Sequence, residues 1–404
     1  MKIPLLSRRE LISSVVIALA FSAFIYFEHF GLSSKILNTI LGLGALYGLL
    51  FGTKKTILLS GFLIGLLWCY WIGFSCQYYG FRWATWLVAL GLGIVYALYY
   101  GTMALTTHPH LRALILFGLT FVWPMDFNWM QPEIIFVESY MGIEKWQFAL
   151  IVFAIASTVW FQGKTKVLPL LLLLGALQNS YTPPPIPDVK IKLVSTNISQ
   201  DFKWQSERLK QTLSENFAEI DNAIAQGYDL VVLPESAFPL YMNEYPDISQ
   251  ALVERSLRIS ILTGTLHKEN GLNYNVSYLY QQGDLTVAKK TILVPFGEYI
   301  PLPEFVSRWV NREIFGGGAD FVTAEKPTDF NINGVSFRNA ICYEATRQEL
   351  YTPEVRYMIA MSNNGWFKPS IEPTVQKLLI RFYARKNNTI VFHSANGGGG
   401  GIVY

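Results

Sequence analysis

Asn179-Ser-Tyr-Thr-Pro-Pro-Pro-Ile-Pro-Asp188 divides this 404-residue chain into two unlike halves. Its clustered prolines cannot continue a helix and read as a short stiff linker, bounded here as 179–190. Upstream, 17 Asp, Glu, Lys and Arg side chains are spread over the first 180 positions; downstream, 44 occupy the remaining 224. Soluble domains carry about 25 % charged residues. The second half is close to that and the first far below it. The whole-chain figures (51 % hydrophobic, 15 % charged, mean hydropathy +0.28) therefore describe neither half. With 3 Cys there is no disulfide framework, and a net charge of +3 gives no reason to expect a nucleic-acid partner. Disordered and collagen-like chains are excluded as well.

The first half, 1–178, reads as a transmembrane domain of about seven helices. A bilayer core about 30 Å thick needs about 20 apolar residues per helix. The candidate spans are Leu11–Phe30, Ile36–Gly52, Thr56–Ser75, Thr85–Gly101, Leu111–Trp123, Gln147–Phe161 and Val167–Leu177, the last three being short. The first is too long, and too embedded in a series, to be a cleaved signal peptide. Lys and Arg near span ends favour the cytoplasmic side. Lys2, Arg8, Arg9, Lys54, Lys55, Arg112, Lys164 and Lys166 all fall on one side, against Lys35, Arg82 and Lys145 on the other. An inside N-terminus and seven spans put the second half outside the cytoplasm. Cys69 and Cys76 read as buried, inert thiols. His108 and His110 lack a third ligand and read as solvated. No charge pair is expected within the spans, which argues against a transporter.

The second half, 191–404, mixes strands and helices, which implies an α/β sandwich. Strands are expected at Ile191–Asn197, Tyr228–Pro234, Ile259–Gly264, Asn273–Gln281, Leu285–Leu293, Phe330–Phe337, Asn339–Tyr343, Arg356–Ser362 and Thr389–His393. Helices are expected at Ser206–Gln226 and Thr374–Lys386, with a helix end at Leu252–Leu257. Gly316–Gly318 and Gly397–Gly401 lack the context of a phosphate-binding loop. A five-glycine run is a costly way to build a strand, which leaves a loop, a truncation or an artificial junction as its readings.

Three segments put reactive groups at strand ends: Val231-Val-Leu-Pro-Glu235-Ser, Ala288-Lys-Lys290-Thr-Ile-Leu-Val-Pro-Phe-Gly-Glu298 and Asn339-Ala-Ile-Cys342-Tyr-Glu344. A lone Glu or Lys is usually a surface charge and a lone Cys usually core. Together they supply a base, a cation for a developing oxyanion, and a nucleophile. Lys289 and Lys290 are neighbours, and strand alternation allows only one of them into such a site. The eight-residue spacing to Glu298 favours Lys290.

These motifs, with Ser362-Asn-Asn-Gly-Trp-Phe367, resemble the nitrilase superfamily and, within it, the apolipoprotein N-acyltransferases. The resemblance spans nearly the whole chain. It implies a multi-span helical membrane domain followed by a nitrilase-like α/β sandwich, in a bacterial inner membrane with the catalytic domain facing the periplasm. It implies Glu235 as general base, Cys342 as nucleophile, and Lys290 with the Tyr343 backbone N–H as oxyanion holders. Glu298 and Glu344 would orient them. It implies an acyl chain moved from a phosphatidylethanolamine-like phospholipid, through a Cys thioester, to the α-amine of a diacylated lipoprotein, with no cofactor and no metal. The alternative is a membrane-tethered nitrilase-type amidase acting on a small amide.

Both lipid substrates are held in the bilayer at about 0.8 kcal/mol per buried CH₂, so the site belongs at the interface. Pro303–Gly318, with Phe305, Trp309 and Phe315, is expected to be an amphipathic lid hinged at the glycines, or else a helix packed on the core. Trp204 and Trp366 are candidate lipid contacts. Members of this family commonly carry a further strand and one more span beyond the glycine run.

Overall fold

The computed structural model describes residues 6–178, 180–295, 297–299 and 321–404. The expected lid, with Phe305, Trp309 and Phe315, lies outside them. The described chain forms two compact units, Met1–Tyr181 with Pro369–Leu378, and Thr182–Lys368 with Leu379–Tyr404.

The first unit is helical. Three of its helices are long and apolar enough to cross a membrane, over Arg8–His29, Lys54–Tyr78 and Ala84–Leu105. At about 1.5 Å per residue, 22 residues span the hydrocarbon core. Ser7 caps the first helix and Glu10 reaches back to the Ser7 N–H, which satisfies donors that apolar surroundings would leave bare. Lys35–Phe51 and Lys145–Trp160 are shorter apolar helices. The segment expected at Leu111–Trp123 is an 11-residue helix, Pro109–Leu119, followed by irregular chain. The one expected at Val167–Leu177 lies in a 3₁₀ stretch, Gly163–Ala176, with Pro169 inside it.

Two sequence expectations for this unit are corrected. Arg112 is no loop charge. It is buried, with Nε donating to the Met103 and Thr106 carbonyls and Nη1 to those of Leu50 and Gly52. One guanidinium thereby serves the carbonyl ends of two helices. Between the expected spans, Lys145 Nζ lies 2.9 Å from Oε1 of the fully buried Glu133 and also donates to the Thr120 carbonyl. His110 is half-buried and stacked on Trp160, at 3.9 Å between ring centroids, rather than solvated. Cys69 is buried and Cys76 half-buried.

The second unit is a sandwich of two five-stranded sheets. The first sheet contains β1 (Ile191–Leu193), β2 (Leu230–Val232), β3 (Ser260–Glu269), β4 (Leu272–Gln281) and β5 (Asp284–Lys289), in that order. β1, β2 and β3 run parallel, and β4 and β5 return antiparallel. The second sheet has the order β10-β9-β8-β7-β6, from β6 (Asp329–Ile332), β7 (Val335–Ile341), β8 (Tyr357–Asn363), β9 (Ile390–Asn396) and β10 (Gly401–Val403). Here β7, β8 and β9 are parallel.

Alternation sorts the side chains into two cores. Leu230, Val232, Leu262, Leu279 and Ala288 meet Phe330, Phe337, Ile359, Met361 and Phe392 between the sheets. Val231, Ile261, Val276, Tyr278 and Tyr280 face the other way, onto Ile220, Ala223 and Leu252 of helices Ser206–Ala225 and Pro246–Ser256.

Two segments fold differently from expectation. The strand expected at Phe330–Phe337 is a hairpin, β6–β7, turning at Asn333-Gly334, where both residues have positive φ. Asn-Gly is a strong signal for such a turn. The glycine run is a turn with positive φ at Gly397, Gly398 and Gly399, and it ends in strand β10 paired with β9.

Candidate active site

The parallel strands of the sandwich end on one edge, where open α/β sheets collect their functional groups. Glu235 follows β2 by three residues, and Cys342 is the first residue beyond β7. Lys290 is the first beyond β5. Ala288 packs between the sheets, so Lys290, two residues on, shares its inward side. Lys290 is 0 % exposed. Lys289 takes the other side, paired with Glu269 and lying 4.1 Å from the Tyr274 ring centroid.

Burial opposes the Lys290 charge, but Glu298, Glu235, Cys342 and Glu344 together outweigh it and hold the ammonium above its ordinary range. Glu298 clamps Nζ with both oxygens, at 2.9 and 2.7 Å. Its Oε2 also accepts from the Val294 N–H at 2.9 Å. The Lys290 backbone is pinned as well, donating to the Asn275 carbonyl and accepting from Ala324 N–H.

Glu235 is buried, and its Oε1 accepts from Asn275 Nδ2 at 2.8 Å. The same Asn275 nitrogen donates to Glu298 Oε1 at 3.0 Å, so one amide spaces two carboxylates. Ser236 turns the chain at φ 49° directly after Glu235, and Gly264 of β3 permits it. A Cβ there would lie 2.6 Å from Glu235 Cα and from the Ser236 nitrogen.

Cys342 has φ 56° and opens a 3₁₀ turn, Cys342–Thr346. A non-glycine residue in this region carries about 1–3 kcal/mol of strain, which the surrounding structure must hold. Glu344 supplies that hold. Its Oε2 accepts from the Ile341 N–H at 2.7 Å, immediately before the cysteine. Its Oε1 accepts from Thr291 N–H, Thr291 Oγ1 and Ile292 N–H, immediately after Lys290. Burial pushes the Glu344 carboxyl up, against Lys290 and these donors. Tyr343 is buried, with its hydroxyl accepting from Arg347 Nη1.

The expected catalytic and orienting residues thus converge on one edge of the sandwich. Trp204 is 44 % exposed, and Trp366 is half-buried in the turn Asn364–Phe367. Sequence reasoning passed over Asn275, Thr291, Gly264 and the buried Lys203, whose Nζ donates to the Glu235 main-chain carbonyl at 3.0 Å. Asn275 carried a legible signal, because it and Ser277 are polar on the β4 face that places Leu279 between the sheets. Among the described residues no group of three or more His, Cys, Asp or Glu side chains could hold a metal.

Fold and site together define a membrane protein carrying a carbon–nitrogen hydrolase domain. Residues 8–179 match the integral membrane domain of apolipoprotein N-acyltransferase, and residues 193–403 match the carbon–nitrogen hydrolase family. Apolipoprotein N-acyltransferase of Wolinella succinogenes is 40 % identical over 389 residues, covering 96 % of this chain and 94 % of that protein. Its counterpart in Campylobacter jejuni is 31 % identical, covering 96 % of this chain and 88 % of its own length. A CN-hydrolase superfamily protein of known structure from Xanthomonas campestris has a TM-score of 0.40 and 16 % identity, covering 53 % of this chain and 77 % of its own. The chain belongs to the apolipoprotein N-acyltransferase family.

Proposed function

We propose that this protein transfers a fatty acyl chain from a phospholipid to the N-terminal α-amine of a diacylated lipoprotein, through a thioester on Cys342. The observation that carries this reading is the fully buried Lys290, on which Glu298, Glu235 and Cys342 all act. Glu235 takes the thiol proton as the sulfur attacks the ester carbonyl of the donor, a phosphatidylethanolamine-like lipid. Lys290 and the Tyr343 N–H receive the oxyanion. The tetrahedral adduct collapses, the ester C–O bond breaks, and Glu235 returns the proton to the departing lysophospholipid oxygen. The diacylglyceryl-cysteine amine then attacks the thioester, Glu235 accepts its proton, and the amide forms as the thiol is restored. No cofactor enters either half-reaction.

An apolar first unit suits substrates that stay in a bilayer, and the distribution of Lys and Arg favours a periplasmic catalytic domain in the inner membrane. This favours lipid acyl transfer over an amidase on a small amide. Intact-mass measurement after incubation with phospholipid tests it. An acyl-sized increase is expected, absent in Cys342→Ala and discharged by a diacylated lipopeptide. An unchanged mass under these conditions would overturn the reading.

A further inference from the structure

The helical unit holds a cavity of about 420 Å³ where the helix ending at Phe51 turns into the helix beginning at Lys54. Leu50, Phe51, Thr53 and Lys54 of that turn form one wall, and Thr107 and Arg112 the other. The helices Lys54–Cys69 and Pro109–Leu119 both begin on this lining, which brings the positive ends of two helix dipoles to one place.

Arg112 is the residue that points to a ligand. It is 3 % exposed, and its Nε and Nη1 are spent on the carbonyls of Met103, Thr106, Leu50 and Gly52. Its remaining nitrogen, Nη2, makes no hydrogen bond to the protein. A guanidinium offers five N–H donors in one plane, so the two on Nη2 are left over. Four carbonyls fix that plane and present the free edge to the cavity that Arg112 lines.

The lining carries two cations, Arg112 and Lys54, and no carboxylate. Glu10, whose Oε1 accepts from Thr53 Oγ1 at 2.9 Å, stands outside the lining, and its Oε2 is taken by the Ser7 N–H and hydroxyl. Two cations beside two helix N-termini suit an anion, and a guanidinium edge matches phosphate oxygens. An ethanolamine headgroup would bring an ammonium with no carboxylate to receive it. The aromatic residues set the depth. Phe51 stacks on Tyr47 at 4.7 Å between ring centroids, and Tyr47 is 55 % exposed. Exposed tyrosines near the end of an apolar helix mark the headgroup level of a bilayer.

We propose that this cavity binds the phosphate of an anionic phospholipid, with Arg112 Nη2 and Lys54 on the phosphate and the Phe51 ring against the carbons beside it. Every residue of the site belongs to the helical unit, and the inference does not depend on acyl transfer at Cys342.

Native mass spectrometry of the full-length protein released from detergent tests it, with dioleoylphosphatidylglycerol, dioleoylphosphatidylethanolamine or inorganic phosphate as the added probe. One copy of phosphatidylglycerol should be retained, at least fivefold more tightly than phosphatidylethanolamine. Lys54→Gln removes one cation and should weaken it about fivefold. Thr107→Glu puts a carboxylate into the wall and should weaken it tenfold or more. Both positions are exposed, so these variants fold, whereas Arg112 is left in place because it holds two helix ends. Lys164→Gln removes an exposed cation outside the lining and should bind as the wild type does. Equal retention of the two lipids, or phosphatidylglycerol binding that neither Lys54→Gln nor Thr107→Glu weakens, would overturn the proposal. Inorganic phosphate retained by the wild type and lost in Thr107→Glu, with no lipid held there, would overturn the lipid and assign the site to a soluble phosphate.

Discussion

One oxygen of the Glu344 carboxylate accepts both the backbone N–H and the hydroxyl of Thr291, at 2.7 and 2.6 Å. The other oxygen accepts the Ile341 N–H. A single buried side chain, 53 positions beyond Thr291, thereby joins the residue after Lys290 to the residue before Cys342. Glu344→Gln should break this bridge on one side. If the amide oxygen keeps Thr291, the NH₂ group faces the Ile341 N–H, donor against donor. An unsatisfied buried donor costs about 1–3 kcal/mol. We expect a lowered melting temperature and a loss of kcat of roughly tenfold or more, about 1.4 kcal/mol in the barrier. Unchanged kcat in a well-folded variant would remove Glu344 from the positioning of the cysteine.

The two adjacent lysines give a contrast. Lys290→Ala removes a fully buried ammonium and leaves Glu298 uncompensated, so acyl transfer should fall by more than a hundredfold, on the order of 3 kcal/mol. Lys289→Ala removes an outer ion pair with Glu269. Such pairs contribute about 0–1 kcal/mol, and activity should stay within about twofold. Parallel lipopeptide acylation assays on the two variants check both. Comparable losses in both would contradict the inward placement of Lys290.

How much of this was legible in the sequence follows from how each group is held. Glu235, Lys290 and Cys342 stand immediately past or just beyond apolar strands, so period-2 alternation and spacing exposed them. Asn275 lies inside a strand, and its role depends on two carboxylates that reach it from positions 235 and 298. Lys203 lies in a helix of one turn, too short for any periodicity. The Glu133–Lys145 pair escaped because Glu133 sits in a 3₁₀ stretch, Pro132–Phe136, between apolar segments, where a charge reads as a loop residue. The Asn333-Gly334 turn was legible from its dipeptide, but the apolar residues flanking it read as one strand.

Gly264 tests how closely β3 supports the base. With any Cβ held 2.6 Å from Glu235 Cα and the Ser236 nitrogen, and 2.9 Å from the Pro234 carbonyl oxygen, backbone must move to admit even alanine. Gly264→Ala should cost about 1–3 kcal/mol of stability. It should also lower kcat, because the atom displaced carries the Glu235 side chain. Thermal unfolding and single-turnover acylation measure the two effects. A variant as active as the wild type would mean that this contact does not position Glu235.

The Glu133–Lys145 pair makes a prediction about stability rather than chemistry. Lys145→Met leaves a fully buried carboxylate without its ammonium, which costs about 3–5 kcal/mol where a buried pair is broken from one side. Glu133→Gln in the same chain removes the remaining charge and should recover most of the loss. Unfolding in detergent of the two single variants and the double variant gives the coupling. A double variant as unstable as the sum of the singles would show that the two side chains do not act as a pair.

Lys203 should make the protein less stable than it need be at neutral pH. Its ordinary pKa of 10.5 in the unfolded chain falls to about 8 when burial opposes the charge in the fold. Between those values the unfolded state binds more protons, so stability from this group rises with pH through that window. Below about 8 the group's full unfavourable contribution is present, on the order of 3 kcal/mol for a shift of this size. Lys203→Met removes it. That variant should unfold at a higher temperature than wild type at pH 7, and the difference should shrink toward pH 10 as the wild-type lysine loses its proton. Loss of the hydrogen bond to the Glu235 carbonyl offsets about 1 kcal/mol of the gain. Melting temperatures of the two proteins at a series of pH values supply the comparison. A Lys203→Met variant less stable than wild type across the range would mean that the ammonium stabilises the fold.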